Sequence, residues 1–138
     1  MKTKLSVIAL AALSCCGIVR AGESSTTFLK VKSFAFGGIG VAGTISQGEA
    51  AFRTVMERPD ALEQFKVVLA KGSNEAALYA LCGIRALDPA SFEEAAAPLV
   101  KKNPDVETIA GCMISRQKAA GVVKNIADGR YDSHWNKK

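Results

Sequence analysis

From residue 46 onward, apolar residues recur at spacings of three and four, the period of a helix with one buried face. Ser46-x-x-Glu49 is a capping box, and the run behind it places Phe52, Val55 and Met56 on one side. Arg58-Pro59 stops that helix, and Asp60 opens a second, with Leu62, Phe65, Val68 and Leu69 in register and Gly72 at its end. Ser73-Asn74 start a third segment, "EAALYALCGIRAL", apolar almost all round. A helix without a polar face is packed on several sides, so this one is predicted to be central. Asp88-Pro89 opens a fourth, with Phe92, Ala95, Ala96 and Leu99 inward and a bend at Pro98. Asn103-Pro104 repeats the start signal. It predicts a helical region from about 104 to 128 with Ile109, Cys112, Met113, Ala120, Val123 and Ile126 on its face, broken in two near Gly111 or Gly121.

The starts near 47, 60, 75 and 89 lie 13 to 15 residues apart with very short links, which forces antiparallel neighbours. The expected fold is all-α. It consists of stacked antiparallel α-hairpins or a small bundle, preceded by a short extended glycine-rich arm. Residues 22–45 form the arm, 46–129 the helical domain and 130–138 a flexible basic tail. The layout resembles HEAT-type repeats, with about two helix pairs and no recurring consensus residue. "FAFGGIGVAGTISQGE" followed by "LYALCGIR" also resembles small exported bacterial proteins of unassigned function, a resemblance that brings no functional residues with it.

The start of the chain changes the electrostatic picture. Lys2 and Lys4, the apolar run Leu5 to Leu13 and Val19-Arg20-Ala21 have the build of a secretory signal peptide over residues 1–21. Leu13-Ser14-Cys15-Cys16 resembles a bacterial lipobox, departing from it at Cys15. The alternative is therefore a lipoprotein signal of residues 1–15, with lipidation at Cys16 and attachment to the envelope membrane. Removing Lys2, Lys4 and Arg20 with the signal lowers the formal net charge from +5 to +2, and nucleic-acid binding loses its main support. Arg116, Lys118, Lys124, Arg130, Lys137 and Lys138 leave the C-terminal end basic. A solvated surface is the first reading of that end, and contact with an acidic partner or with lipid headgroups is the second.

Beyond the signal, Cys82 and Cys112 remain, each beside a glycine. In an exported chain the pair is expected to form a disulfide, closing a loop of about 30 residues and stabilising by roughly 3–4 kcal/mol. No metal site is expected, since there is no C-x-x-C and the single histidine is His134.

Two motifs look like chemistry. Gly38-x-Gly40-x-x-Gly43 matches the dinucleotide fingerprint, but a second helix follows the first where a parallel strand is needed, so no nucleotide cofactor is expected. The plainer reading is a glycine-rich entry strand and turn anchored by Phe34 and Phe36. A further reading is an interaction loop comprising Phe34, Phe36, Gly37, Gly38, Gly40 and Gly43. Ser115-x-x-Lys118 matches the nucleophile motif of penicillin-binding proteins, without their other elements. Glu93-Glu94 suits the first turn of a helix better than acid–base chemistry. The sequence thus favours a non-catalytic exported helical domain that binds another exported or envelope protein, an inhibitor or immunity-type protein being one version. The alternative is a small envelope hydrolase using Ser115 and Lys118.

Overall fold

In a computed structural model the described residues are 22–136, with side chains described from Thr26 onward; the expected signal peptide and the expected lipidation site Cys16 lie outside them. A short helix α1 (Gly22–Leu29) is followed by an extended arm and then by α2 (Gln47–Met56), α3 (Ala61–Lys71) and α4 (Asn74–Leu87). A 3-10 turn (Pro89–Ser91) leads into α5 (Phe92–Lys102). An antiparallel hairpin, β1 (Asp105–Ala110) and β2 (Met113–Lys118), comes next, then α6 (Ala119–Ala127) and a 3-10 turn (Asp132–His134).

Two of the local start signals cap the helices they precede. Ser46 and Ser73 cap α2 and α4 by accepting from the N–H groups of Glu49 and Ala76. Asp60 precedes α3 without capping it. Its carboxylate instead accepts from Arg58 and Gln64, bonds that lower its pKa to about 2. α4 is buried from Ala76 to Ile84 and forms the middle of the molecule, with α3, α2, α5 and α6 packed around it. Phe52, Phe65, Leu78, Leu81, Val122 and Ile126 fill the space between them. Gly83 sits where Phe65 of α3 crosses, and a Cβ there would overlap the Phe65 ring. No helix among the described residues is long and apolar enough to cross a membrane.

The all-α expectation is overturned by the hairpin. Asn103 does not start a helix. It ends α5 in the left-handed region, φ 42°, and its side chain accepts from the Ala120 N–H at 3.0 Å, at the start of α6. The chain between is rich in β-branched residues, and Val106 and Thr108 are buried in alternation, the period of a strand. Ala110 pairs with Met113, so Gly111-Cys112 is a two-residue turn, and Gly111 takes the positive φ (59°) that such turns favour at their first position. Cys112 and Met113, expected on a buried helix face, are exposed.

Both ends of the domain also depart from expectation. The arm is not extended throughout, because α1 occupies its first part. The tail up to residue 136 folds back. Tyr131 and Trp135 pack against the core, and Asp132 accepts an ion pair from Arg85 at 3.2 Å.

Two glycine substitutions separate close packing from open surface. Gly83→Ala should lower the unfolding free energy by about 1–3 kcal/mol, because a rigid ring and not a flexible chain end must move. Gly121→Ala, where nothing lies within 4 Å of the added carbon, should stabilise by about 0.5–1 kcal/mol. Urea titrations of both variants check the contrast.

Candidate interaction surface

The arm crosses the helices as bare backbone, and its peptide groups need partners. Tyr79 of α4 supplies two of them: its hydroxyl accepts from the Ala35 N–H at 2.8 Å and donates to the Ala35 carbonyl at 2.7 Å. The Ser46 hydroxyl donates to the same carbonyl at 3.1 Å while capping α2. Glu49 completes the clamp. Its carboxylate is fully buried, accepts from the Gly37 N–H at 2.8 Å, and is held by the Arg53 guanidinium at 2.6 Å. Ser46 thus caps the helix, while the Glu49 side chain of the same motif is turned to the arm and to Arg53. Burial pushes the Tyr79 phenol up to about 12, against the opposing hydrogen bonds from Ser46 and Ala35.

Beyond the clamp the arm turns sharply. Ile39 and Thr44 exchange hydrogen bonds at 2.8 and 3.1 Å, and the Gly43 N–H donates to the Gly40 carbonyl at 3.2 Å. Gly40 and Gly43 take positive φ, and a Cβ on Gly38 would stand 2.9 Å from the Gly43 backbone. All three fingerprint glycines are thus needed to make a tight turn. The arm runs parallel to β1, with bridges from Phe34 to Thr108 and from Ile39 to Gly111, and the Gly40 N–H donates to the Gly111 carbonyl at 2.9 Å. The tips of the two turns consequently meet.

This end of the molecule is apolar and exposed. Val41 is fully exposed, Met113 is 74% exposed, Ile114 67% and Ile45 50%. Residues 36–48 and 108–115 contain no charged side chain. Of the residues singled out in the loop, Phe34 is buried against Tyr79 at 4.8 Å. Phe36 meets Phe52, Tyr131, His134 and Trp135, so both are anchors and not contact residues. His134 lies stacked on Phe36 with ring centroids 5.5 Å apart, well away from any free tail.

Ser115 and Lys118 are not brought together. Three residues apart on a helix they would share a face; on β2 they point to opposite faces. Ser115 lies 3.0 Å from the Thr108 hydroxyl, and Lys118 pairs with Asp105 at 3.0 Å. The expected disulfide is likewise absent, for the same reason. With residues 105–118 in a hairpin, Cys112 rides on its exposed turn while Cys82 stays buried inside α4, and both are free thiols. Burial raises the Cys82 pKa well above its ordinary value.

Comparison with protein-family models, curated proteins and solved structures finds no match. The surface therefore has to be read from its own chemistry. Sequence reasoning pointed to the glycine loop but missed Val41 and Ile45, and it assigned Met113 to the interior. The available signal was the absence of any charge to keep solvent around these apolar residues.

Two measurements follow from the geometry. In wild type, stability should fall between about pH 10 and pH 12. The unfolded chain releases the Tyr79 proton near 10, whereas the folded chain holds it to about 12. Tyr79→Phe should remove that share of the alkaline loss and cost about 1–3 kcal/mol at neutral pH by leaving the Ala35 N–H unpaired; denaturant titrations at several pH values check both. A thiol reagent should modify Cys112 in the native protein and Cys82 only after unfolding, and reductant should leave the melting temperature unchanged.

Proposed function

We propose that this chain is a non-catalytic protein-interaction domain, working after export, that binds another exported or envelope protein through the end built by the glycine turn and the hairpin tip. The observation carrying the proposal is the uncharged, exposed grouping of Val41, Ile45, Met113 and Ile114. Large apolar side chains left exposed at one uncharged end of the molecule, on both faces of β2, are unfavourable in water unless a partner covers them. The scaffold suits that role. Residues 39–44 and 110–113 are joined by the bond from the Gly40 N–H to the Gly111 carbonyl, and the Tyr79 and Glu49 bonds fix the arm behind them. A preformed surface loses little conformational freedom on binding. An inhibitor or immunity-type partner relation is the specific version this reading favours, since such proteins act by covering another protein's surface.

The competing hydrolase reading needs Ser115 activated by Lys118, and no geometry here supports that activation. The two readings separate on substitution. Val41→Asp combined with Met113→Asp should abolish co-purification of the partner that wild type retains from its own envelope extract. Stability should change by less than about 0.5 kcal/mol per exposed site. Ser115→Ala should leave the same co-purification intact. Retention of the partner by the double aspartate variant would sink the proposal.

A further inference from the structure

β1 has a neighbour on each side, and this decides which way the peptide groups of the hairpin point. The Phe34 N–H donates to the Glu107 carbonyl at 2.8 Å, and the Ile109 N–H donates to the Phe34 carbonyl at 3.0 Å. Peptide groups of odd-numbered β1 residues thus turn toward the arm. Those of 106, 108 and 110 turn toward β2, where the register pairs them with Gln117, Ser115 and Met113. The N–H and C=O groups of Ile114 and Arg116 are left pointing outward, along an edge that no other strand covers among the described residues.

That edge is electrically balanced. On the face of the hairpin opposite the buried Val106 and Thr108, the register sets Asp105 across from Lys118, Glu107 across from Arg116 and Ile109 across from Ile114. The Asp105–Lys118 pair closes to 3.0 Å. Each base of β2 therefore already faces an acid of β1, while Ile114 stays 67% exposed. β2 also lacks the features that blunt an edge, having no proline and no bulge in its one-to-one register.

We infer that the outer edge of β2 pairs with the same edge of a second copy of this chain, antiparallel about a two-fold axis at Ile114, to make a four-stranded sheet. Of the registers that bring outward groups together, one sets Arg116 opposite Arg116, and the next leaves the two arginines diagonal neighbours. The register centred on Ile114 avoids both. It sets Ile114 opposite Ile114, lets the two residues exchange both backbone hydrogen bonds, and aligns Ile109 and Ile114 of both copies on one face. The two Arg116 residues then stand about 13 Å apart along the strands, each still across from the Glu107 of its own copy. Apolar thus meets apolar and no charge faces its like, a self-complementarity that favours a second copy as the occupant. The inference goes beyond the protein-binding reading and does not rest on it. The arm and its glycine turn, with Val41, lie on the other side of β1 and stay free in the dimer.

The test is sedimentation of the whole processed chain across a concentration series. About five paired residues a side make a small interface, so the dimer should appear above about 0.1 mM and dominate by about 1 mM. With concentration, the amides of Ile114 and Arg116 should gain protection from hydrogen exchange. Ile114→Asp sets two carboxylates against each other across the axis, so it should stay monomeric throughout with unchanged circular dichroism. Ile114→Pro removes an outward N–H without touching the β1 ladder and should also stay monomeric, serving as the test if the aspartate variant fails to fold. Val41→Asp, on the arm side of β1, should dimerise as wild type does. A chain that is monomeric to about 1 mM overturns the inference, even if it retains its envelope partner. So does a dimer that survives Ile114→Asp, or one lost in Val41→Asp, which would place the second copy on the apolar tip. A chain that dimerises through Ile114 yet retains no partner upholds the inference and sinks the protein-binding reading alone.

Discussion

The arrangement depends on how a backbone segment without helix or full strand partners is kept out of water. Buried peptide groups that lack hydrogen bonds cost more than a formed one contributes, so the arm crosses the helices where the groups of Phe34, Ala35 and Gly37 find partners. Phe34 is met by β1, Ala35 by Tyr79 and Ser46, and Gly37 by Glu49. The donors and acceptors come from three separate elements, and the arm therefore fixes α2, α4 and the hairpin relative to one another.

That constraint explains a buried carboxylate in a small core. Glu49 is fully enclosed, a position that is tolerable for a charged group only with close partners. Arg53 gives it a charge-assisted bond and the Gly37 N–H a second partner, while the half-exposed Arg53 keeps contact with solvent. The aromatic cluster closes over the same region. Phe36 sits between Tyr79, Phe52 and the returning tail, so Tyr131, His134 and Trp135 cover the arm from the outside.

The hairpin is asymmetric in consequence. Its inner strand is enclosed by the arm and by β2, while its outer strand has solvent on one edge. At its tip, the contact between the Gly40 N–H and the Gly111 carbonyl joins two turns that lie some 70 residues apart in the chain. Neither turn would present a surface alone. Joined, they bring apolar side chains from both segments to one uncharged end.

The sequence by itself determined the helices from 47 to 102, the centrality of α4 and the role of glycine in the turn after Phe36. Caps, prolines and apolar period act within a few residues and need no tertiary information. It pointed to the glycine loop as a surface, yet half of that surface lay in a segment assigned to a helix. Between 105 and 118 the apolar residues fit both periods: Ile109, Cys112 and Met113 suit a helix face, while Val106 and Thr108 suit a strand. Local pattern could not choose between them. The tertiary structure chose, because Phe34 offers β1 a ladder partner that is distant in sequence, and Asn103 serves two helix ends at once. The free thiols, the separated Ser115 and Lys118, and the exposed Met113 all follow from that one choice, since a change of period from 3.6 to 2 redirects every side chain along the segment.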